Sequence, residues 1–135
     1  MCVLAAFVAG CGMTVASATV PVPAASGEAA RPASPAALAI MSPGSGTVIT
    51  GTAVHVVLSL EHARVVAATS THIRPDEGHI HLYLDNTLVY MQYGLTDDLP
   101  VTPGSHVLRA EFVASDHVPF DPRVWSQAVV FTVQR

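Results

Sequence analysis

Gly78-His79-Ile80-His81-Leu82-Tyr83-Leu84-Asp85 alternates more cleanly than any other segment of this chain. Apolar residues fall at every second position, and a β-strand turns successive side chains to opposite faces. Ile80, Leu82 and Leu84 therefore share a buried face, while His79, His81 and Tyr83 take the other. Asp85-Asn86-Thr87 supplies the residues that tight hairpin turns prefer, so Leu88 to Tyr93 is expected to return as the partner strand. Opposed residues share a face in an antiparallel pair. Either two-residue turn places Val89 and Met91 in the core with Ile80 and Leu82, which removes Met91 from the possible metal ligands.

The same period continues along the chain. Leu38 to Met41 and Thr47 to Thr50 read as a first strand broken around Ser42-Pro43-Gly44. Val54, Val56, Leu58 and Leu60 alternate inward in the second, and Arg64 to Thr71 is either a weaker strand or part of a long connection. After the turn Pro100 to Ser105, His106, Leu108, Ala110 and Phe112 face in, and Arg109 and Glu111 face out. A loop from Ser115 to Arg123 then leads to a last strand, Val124 to Gln134, with Val129, Phe131 and Val133 inward. Asp97-Asp98 falls in a turn, where solvation explains the paired carboxylates better than acid–base chemistry. The expected fold is all-β: a two-layer antiparallel immunoglobulin-like sandwich of seven to eight strands, without long helices.

Composition agrees with one such domain. The chain has 135 residues, half of them hydrophobic, with ten prolines and nine glycines to punctuate short strands. All six basic residues are arginines, and the net charge of −4 offers little to a phosphate backbone, so nucleic acid is not an expected partner. The two cysteines, Cys2 and Cys11, lie in the first eleven residues. The folded part therefore has neither an internal disulfide nor a cysteine nucleophile.

The amino terminus reads as an address. Val3 to Gly10 has the length and character of a signal-peptide apolar region and is too short to span a bilayer. Val8-Ala9-Gly10-Cys11 resembles the bacterial lipoprotein signal, which implies cleavage before Cys11 and lipid on its thiol. Only Met1 and Cys2 precede the apolar run, and an earlier translation start would supply the positive segment such signals carry. Residues 11–37 are rich in Ala, Pro and Ser and read as a semi-extended tether. The expected organisation is a signal peptide at 1–10, the tether at 11–37 and the domain at 38–135. The product is an exported protein, held to the membrane in the cell envelope by its lipid.

Seven histidines are distributed unevenly along this plan. His79 and His81 project from one strand face about 6.5–7 Å apart, close enough for two imidazoles to approach one metal ion. An immunoglobulin-like topology sets the start of that strand beside the end of the strand finishing near Ala114, which brings Asp116 and His117 to His79. The loop before His79 adds His72, Asp76 and Glu77. Neutral imidazoles suit copper(II) or zinc, so His79, His81, His117, Asp116 and His72 form the candidate metal set. The competing reading is that histidines at such positions bond to loop carbonyls and fix turns. His106, just after Pro103-Gly104, is assigned that role, in the manner of the tyrosine corner of immunoglobulin-like domains. His55 and His62 read as surface residues.

Three segments, Gly78 to Asp85, Pro103-Gly104-Ser105-His106-Val107-Leu108 and Asp116-His117-Val118-Pro119, resemble motifs of a group of secreted bacterial domains of unknown function. The likeness covers about Ile40 to Val133 and implies an immunoglobulin-like sandwich without an established activity. Such relatives can carry a further histidine where this chain has Ile80, a departure that weakens the metal reading. A looser likeness, at the level of fold, is to periplasmic copper-binding sandwiches. No nucleophile elbow, phosphate loop or zinc-protease helix occurs, so no catalytic residues are assigned and the chain is read as a non-enzyme. The expected function is binding or interaction in the envelope with an unidentified protein or glycan, or alternatively with copper or zinc.

Overall fold

The computed structural model describes residues 30–135, so the expected signal peptide, the lipidation site expected at Cys11 and most of the expected tether lie outside the described residues. Ten strands follow in order: β1 (Ala37–Ser42), β2 (Val48–Thr50), β3 (Ala53–Glu61), β4 (Arg64–Val65), β5 (Glu77–Leu84), β6 (Thr87–Gln92), β7 (Thr96–Pro100), β8 (Gly104–Ala114), β9 (Pro119–Trp125) and β10 (Val129–Gln134). One sheet has the order β1-β3-β7, and the other runs β2-β10-β8-β5-β4, with β6 also on β5 and β9 also on β8. The pairs are antiparallel except β2 with β10 and β4 with β5. This is a two-layer immunoglobulin-like sandwich.

Period-two burial builds the core. Val54, Val56 and Leu58 of one sheet and Ile80, Leu82, Leu108, Ala110, Phe112, Phe131 and Val133 of the other are buried in a single cluster. The broken first strand is two strands in different sheets: β1 pairs with β3, and β2 crosses over to lie parallel to β10. The weak run after His62 is the two-residue β4 followed by a long loop.

Three expectations are corrected. The segment read as a loop from Ser115 to Arg123 contains most of β9, because Phe120 is buried and stacks on Phe112 at 5.6 Å, and the last strand accordingly begins at Val129. Asp97 and Asp98 lie in β7 rather than a turn, paired in register with Val56 and His55. The turn residues Asp85 and Asn86 both have positive φ, as a type I′ hairpin requires, and Leu84 faces Thr87 across it. A bulge then makes Leu82 face Tyr90, His81 face Met91 and Ile80 face Gln92. One extra residue reverses every later side chain. Met91 moves to the outer face opposite His81, Val89 is exposed as are Leu88 and Tyr90 along the same strand, and the buried residue of β6 is Gln92.

Ordered contacts begin before β1. The Pro32 carbonyl accepts the Asp121 N–H, and the Arg31 guanidinium bonds the Asp116 carboxylate and the carbonyls of Val118 and Pro119.

Candidate functional site

Strands β5 and β8 are long neighbours, with Gly78 opposite Ala114, His79 opposite Val113, His81 opposite Glu111 and Tyr83 opposite Arg109. Gly78 permits this approach, since a Cβ there would stand 1.9 Å from the Val113 carbonyl oxygen. His79 and His81 share the face turned away from the core. They are nevertheless buried, at 0% and 6% exposure. Ser70 and Ser115 exchange two hydrogen bonds that fasten the β4–β5 loop to the end of β8.

His117 sits in the turn after β8 with φ of 64°, a left-handed conformation unusual for a residue other than glycine. Its N–H donates to the Ala114 carbonyl, and the Val118 N–H donates to the Asp116 carboxylate. Such backbone strain costs on the order of 1–3 kcal/mol and concentrates at functional positions. Here it accompanies an imidazole laid back onto β5. The His117 ring stacks on His79 at 4.2 Å and lies nearly parallel to His81 at 5.6 Å. His117 Nδ1 is 3.3 Å from His81 Nε2, and its Nε2 is 3.1 Å from the Thr69 hydroxyl. Tyr93 completes the cluster, edge-on to His79 at 5.0 Å.

The hydrogen bonds constrain the protons. His79 Nε2 donates to the Ser115 carbonyl, 3.2 Å away, which leaves Nδ1 buried and without a partner among the described residues. The His81–His117 bond needs one N–H and one lone pair, so the two facing nitrogens cannot both be protonated and keep it. Burial and then the neighbouring His117 hold both His79 and His81 below the ordinary imidazole value. For His79 the Ser115 and Val66 backbone oppose this lowering without cancelling it, Val66 without meeting hydrogen-bond geometry.

Of the candidate metal set, the structure brings His79, His81 and His117 together as a stack. Asp116 is adjacent in sequence, but Arg31 holds both oxygens of its carboxylate at 2.9 Å. His72 is exposed in the preceding loop, where its backbone N–H donates to the Ser70 hydroxyl. Among the described residues, no three His, Cys, Asp or Glu side chains are arranged to hold a metal ion as they stand. Two imidazole nitrogens are suitably close, since ligands about 2.0–2.1 Å from a tetrahedral ion are about 3.3 Å apart.

His106 lies toward the other end of β8. Its Nε2 is 2.7 Å from the Thr102 carbonyl and its Nδ1 is 2.8 Å from the Asp85 carboxylate. Both partners only accept, so the doubly protonated ring fits best, and the bond to Asp85 raises the imidazole above its ordinary value. Asp85 also accepts the Val107 N–H, tying the β5–β6 turn to β8. His55 is exposed and paired with Asp98, and His62 is exposed.

Sequence reasoning missed the polar arrangement continuing along this face. Glu111 is fully buried and bound through both oxygens to Arg123, at 2.6 and 2.7 Å, and the Tyr83 hydroxyl donates to it. Alternation in β9 carries the signal for Arg123 and Trp125, but its first residues read as a loop.

No protein-family model and no curated protein matches the chain. Among solved structures it is similar to the fibronectin(III)-like modules of Clostridium thermocellum CbhA, with 18% identity over 71% of this chain and 93% of that one and a TM-score of 0.51. The likeness bears on the fold: an immunoglobulin-like sandwich of the fibronectin III type.

Proposed function

We propose that the chain is a non-enzymatic binding domain, lipid-anchored in the cell envelope through Cys11, whose ligand meets the surface that His117 and Tyr93 form over the buried His79 and His81. One observation supports the site assignment above others: three imidazoles are packed against one another, with a buried His79 nitrogen left without a partner. Buried polar atoms are normally satisfied, and exceptions call for an explanation. A fibronectin-like sandwich is compatible with binding, and fold alone names no ligand. A photocrosslinker at exposed Val118, beside His117, should capture one defined envelope protein or glycan on intact cells, whereas one at Val130 in β10 should not. Equal labelling from both positions, together with inertness to metal, contradicts the proposal.

A second reading, copper or zinc binding, is favoured by the 3.3 Å separation of His81 Nε2 and His117 Nδ1. Met91 adds to it, since the bulge sets this half-exposed thioether across from His81, and thioethers suit copper. Metal that binds only the folded state raises the melting temperature by mass action. Copper or zinc should therefore raise it at neutral pH in the wild type and leave His81→Ala unmoved. Equal rises in both proteins exclude this site.

A further inference from the structure

The outer face of the larger sheet holds a second feature, farther along it than the histidine cluster. A cavity of about 340 Å³ opens there, within the usual size range of small-molecule sites, lined by Tyr83, Asn86, Arg109, Arg123 and Trp125 among others. The Arg109 and Arg123 guanidinium carbons lie 4.2 and 4.6 Å from the centre of the Trp125 ring, and Tyr83 packs on that ring at 5.1 Å. Stacking of this kind holds a guanidinium in place before any ligand arrives.

The two arginines differ in what they have left to offer. Arg123 gives Nε and Nη2 to the buried Glu111, which neutralises it and fixes its position. Arg109 donates Nε to the Ser126 carbonyl at 3.4 Å, and among the described residues it has no carboxylate partner. Arg31, Arg64, Arg74 and Arg123 all have one. Glu111 is committed to Arg123, so the cavity keeps one uncompensated positive charge on a protein of net charge −4. Asn86 also lines it, from the left-handed hairpin turn, with a side-chain amide that can donate or accept.

We infer that this cavity binds a small oxyanion ligand, a carboxylate or phosphate group on a molecule of about monosaccharide size, with the Arg109 fork as its anchor. Arginine presents paired N–H donors that match either anion in a bidentate geometry. The polar body of the ligand meets Asn86 and Tyr83.

Trp125 is the only tryptophan in the chain, so its fluorescence reports on this cavity. D-glucuronate, inorganic phosphate and neutral D-glucose are each titrated into the protein at constant ionic strength. A saturable change with either anion but not with glucose is expected, and which anion acts separates a carboxylate source from a phosphate source. Arg109→Gln should weaken the response about tenfold or more, as loss of a charge-assisted pair implies, and Arg109→Lys should restore only part of it. His55→Ala, on β3 of the other sheet, should leave it unchanged. An equal response to glucose, no saturable response to either anion, or undiminished binding by a folded Arg109→Gln overturns the inference.

Discussion

His106 and His81 carry the same ring and answer to pH in opposite directions. His106 titrates above its ordinary 6.5, chiefly through its bond to Asp85, so its stabilisation is present below that value and lost as pH rises through the raised one. Asp85 is held below its ordinary 3.8 by the Val107 N–H and then by His106, so its share is present above that value and lost as pH falls. The corner is therefore strongest between those two ordinary values. His106→Gln should cost about 1–3 kcal/mol at a pH near 5.5 and less near 8.5, measured by urea denaturation at both. His79 and His81 are lowered, so their contribution is present above 6.5 and lost as pH falls through the lowered values. For single residues the sequence is informative where parity applies: alternation around Ile80 and Leu82 puts His79 and His81 on one face. Depth is not legible. Both histidines face away from the core yet are buried, and the Asp116 carboxylate is engaged by Arg31 from a segment that reads as tether.

Between strands, close approach and parity decide what the chain tolerates. Gly78→Ala would drive a methyl group into the Val113 carbonyl, so β5 and β8 must separate at the end that carries His79. A loss of about 3 kcal/mol or more, as for severe overpacking, is the expected result of equilibrium unfolding. Strand β6 gives the opposite case. Its bulge buries Gln92, and neither side-chain amide atom has a partner among the described residues. Gln92→Leu should therefore stabilise the protein by about 1–2 kcal/mol, seen as a raised midpoint in urea. Nothing in Leu88-Val89-Tyr90-Met91 announces the bulge, because apolar residues occupy both parities and either register looks equally buried. A related ambiguity hides most of β9, where the prolines and charges of Pro119-Phe120-Asp121-Pro122-Arg123 read as a loop. Backbone pairing with β8 and the packing of Phe120 on Phe112, both contacts between strands, make it a strand.

Across the whole molecule, topology assembles what no local segment contains. Strands β5 and β8 are antiparallel neighbours, so the start of one meets the turn that follows the other, and His117 arrives beside His79 and His81 from thirty-six residues beyond His81. That β5 and β8 would be neighbours was legible because alternation, turn chemistry and spacing agreed on a sandwich, and the sheet that carries the site followed from that topology. The stacking of the rings was not, since it depends on the left-handed backbone at His117 and on the Thr69 hydroxyl across the loop. A histidine-resolved NMR titration of the metal-free wild type and His117→Ala puts the packed cluster to the test. In the wild type, His79 and His81 should titrate below 6.5 and His106 above it, and removing His117 should move the first two upward while leaving His106 in place. Ordinary titration of His79 and His81, unaltered by His117→Ala, would refute the cluster as described.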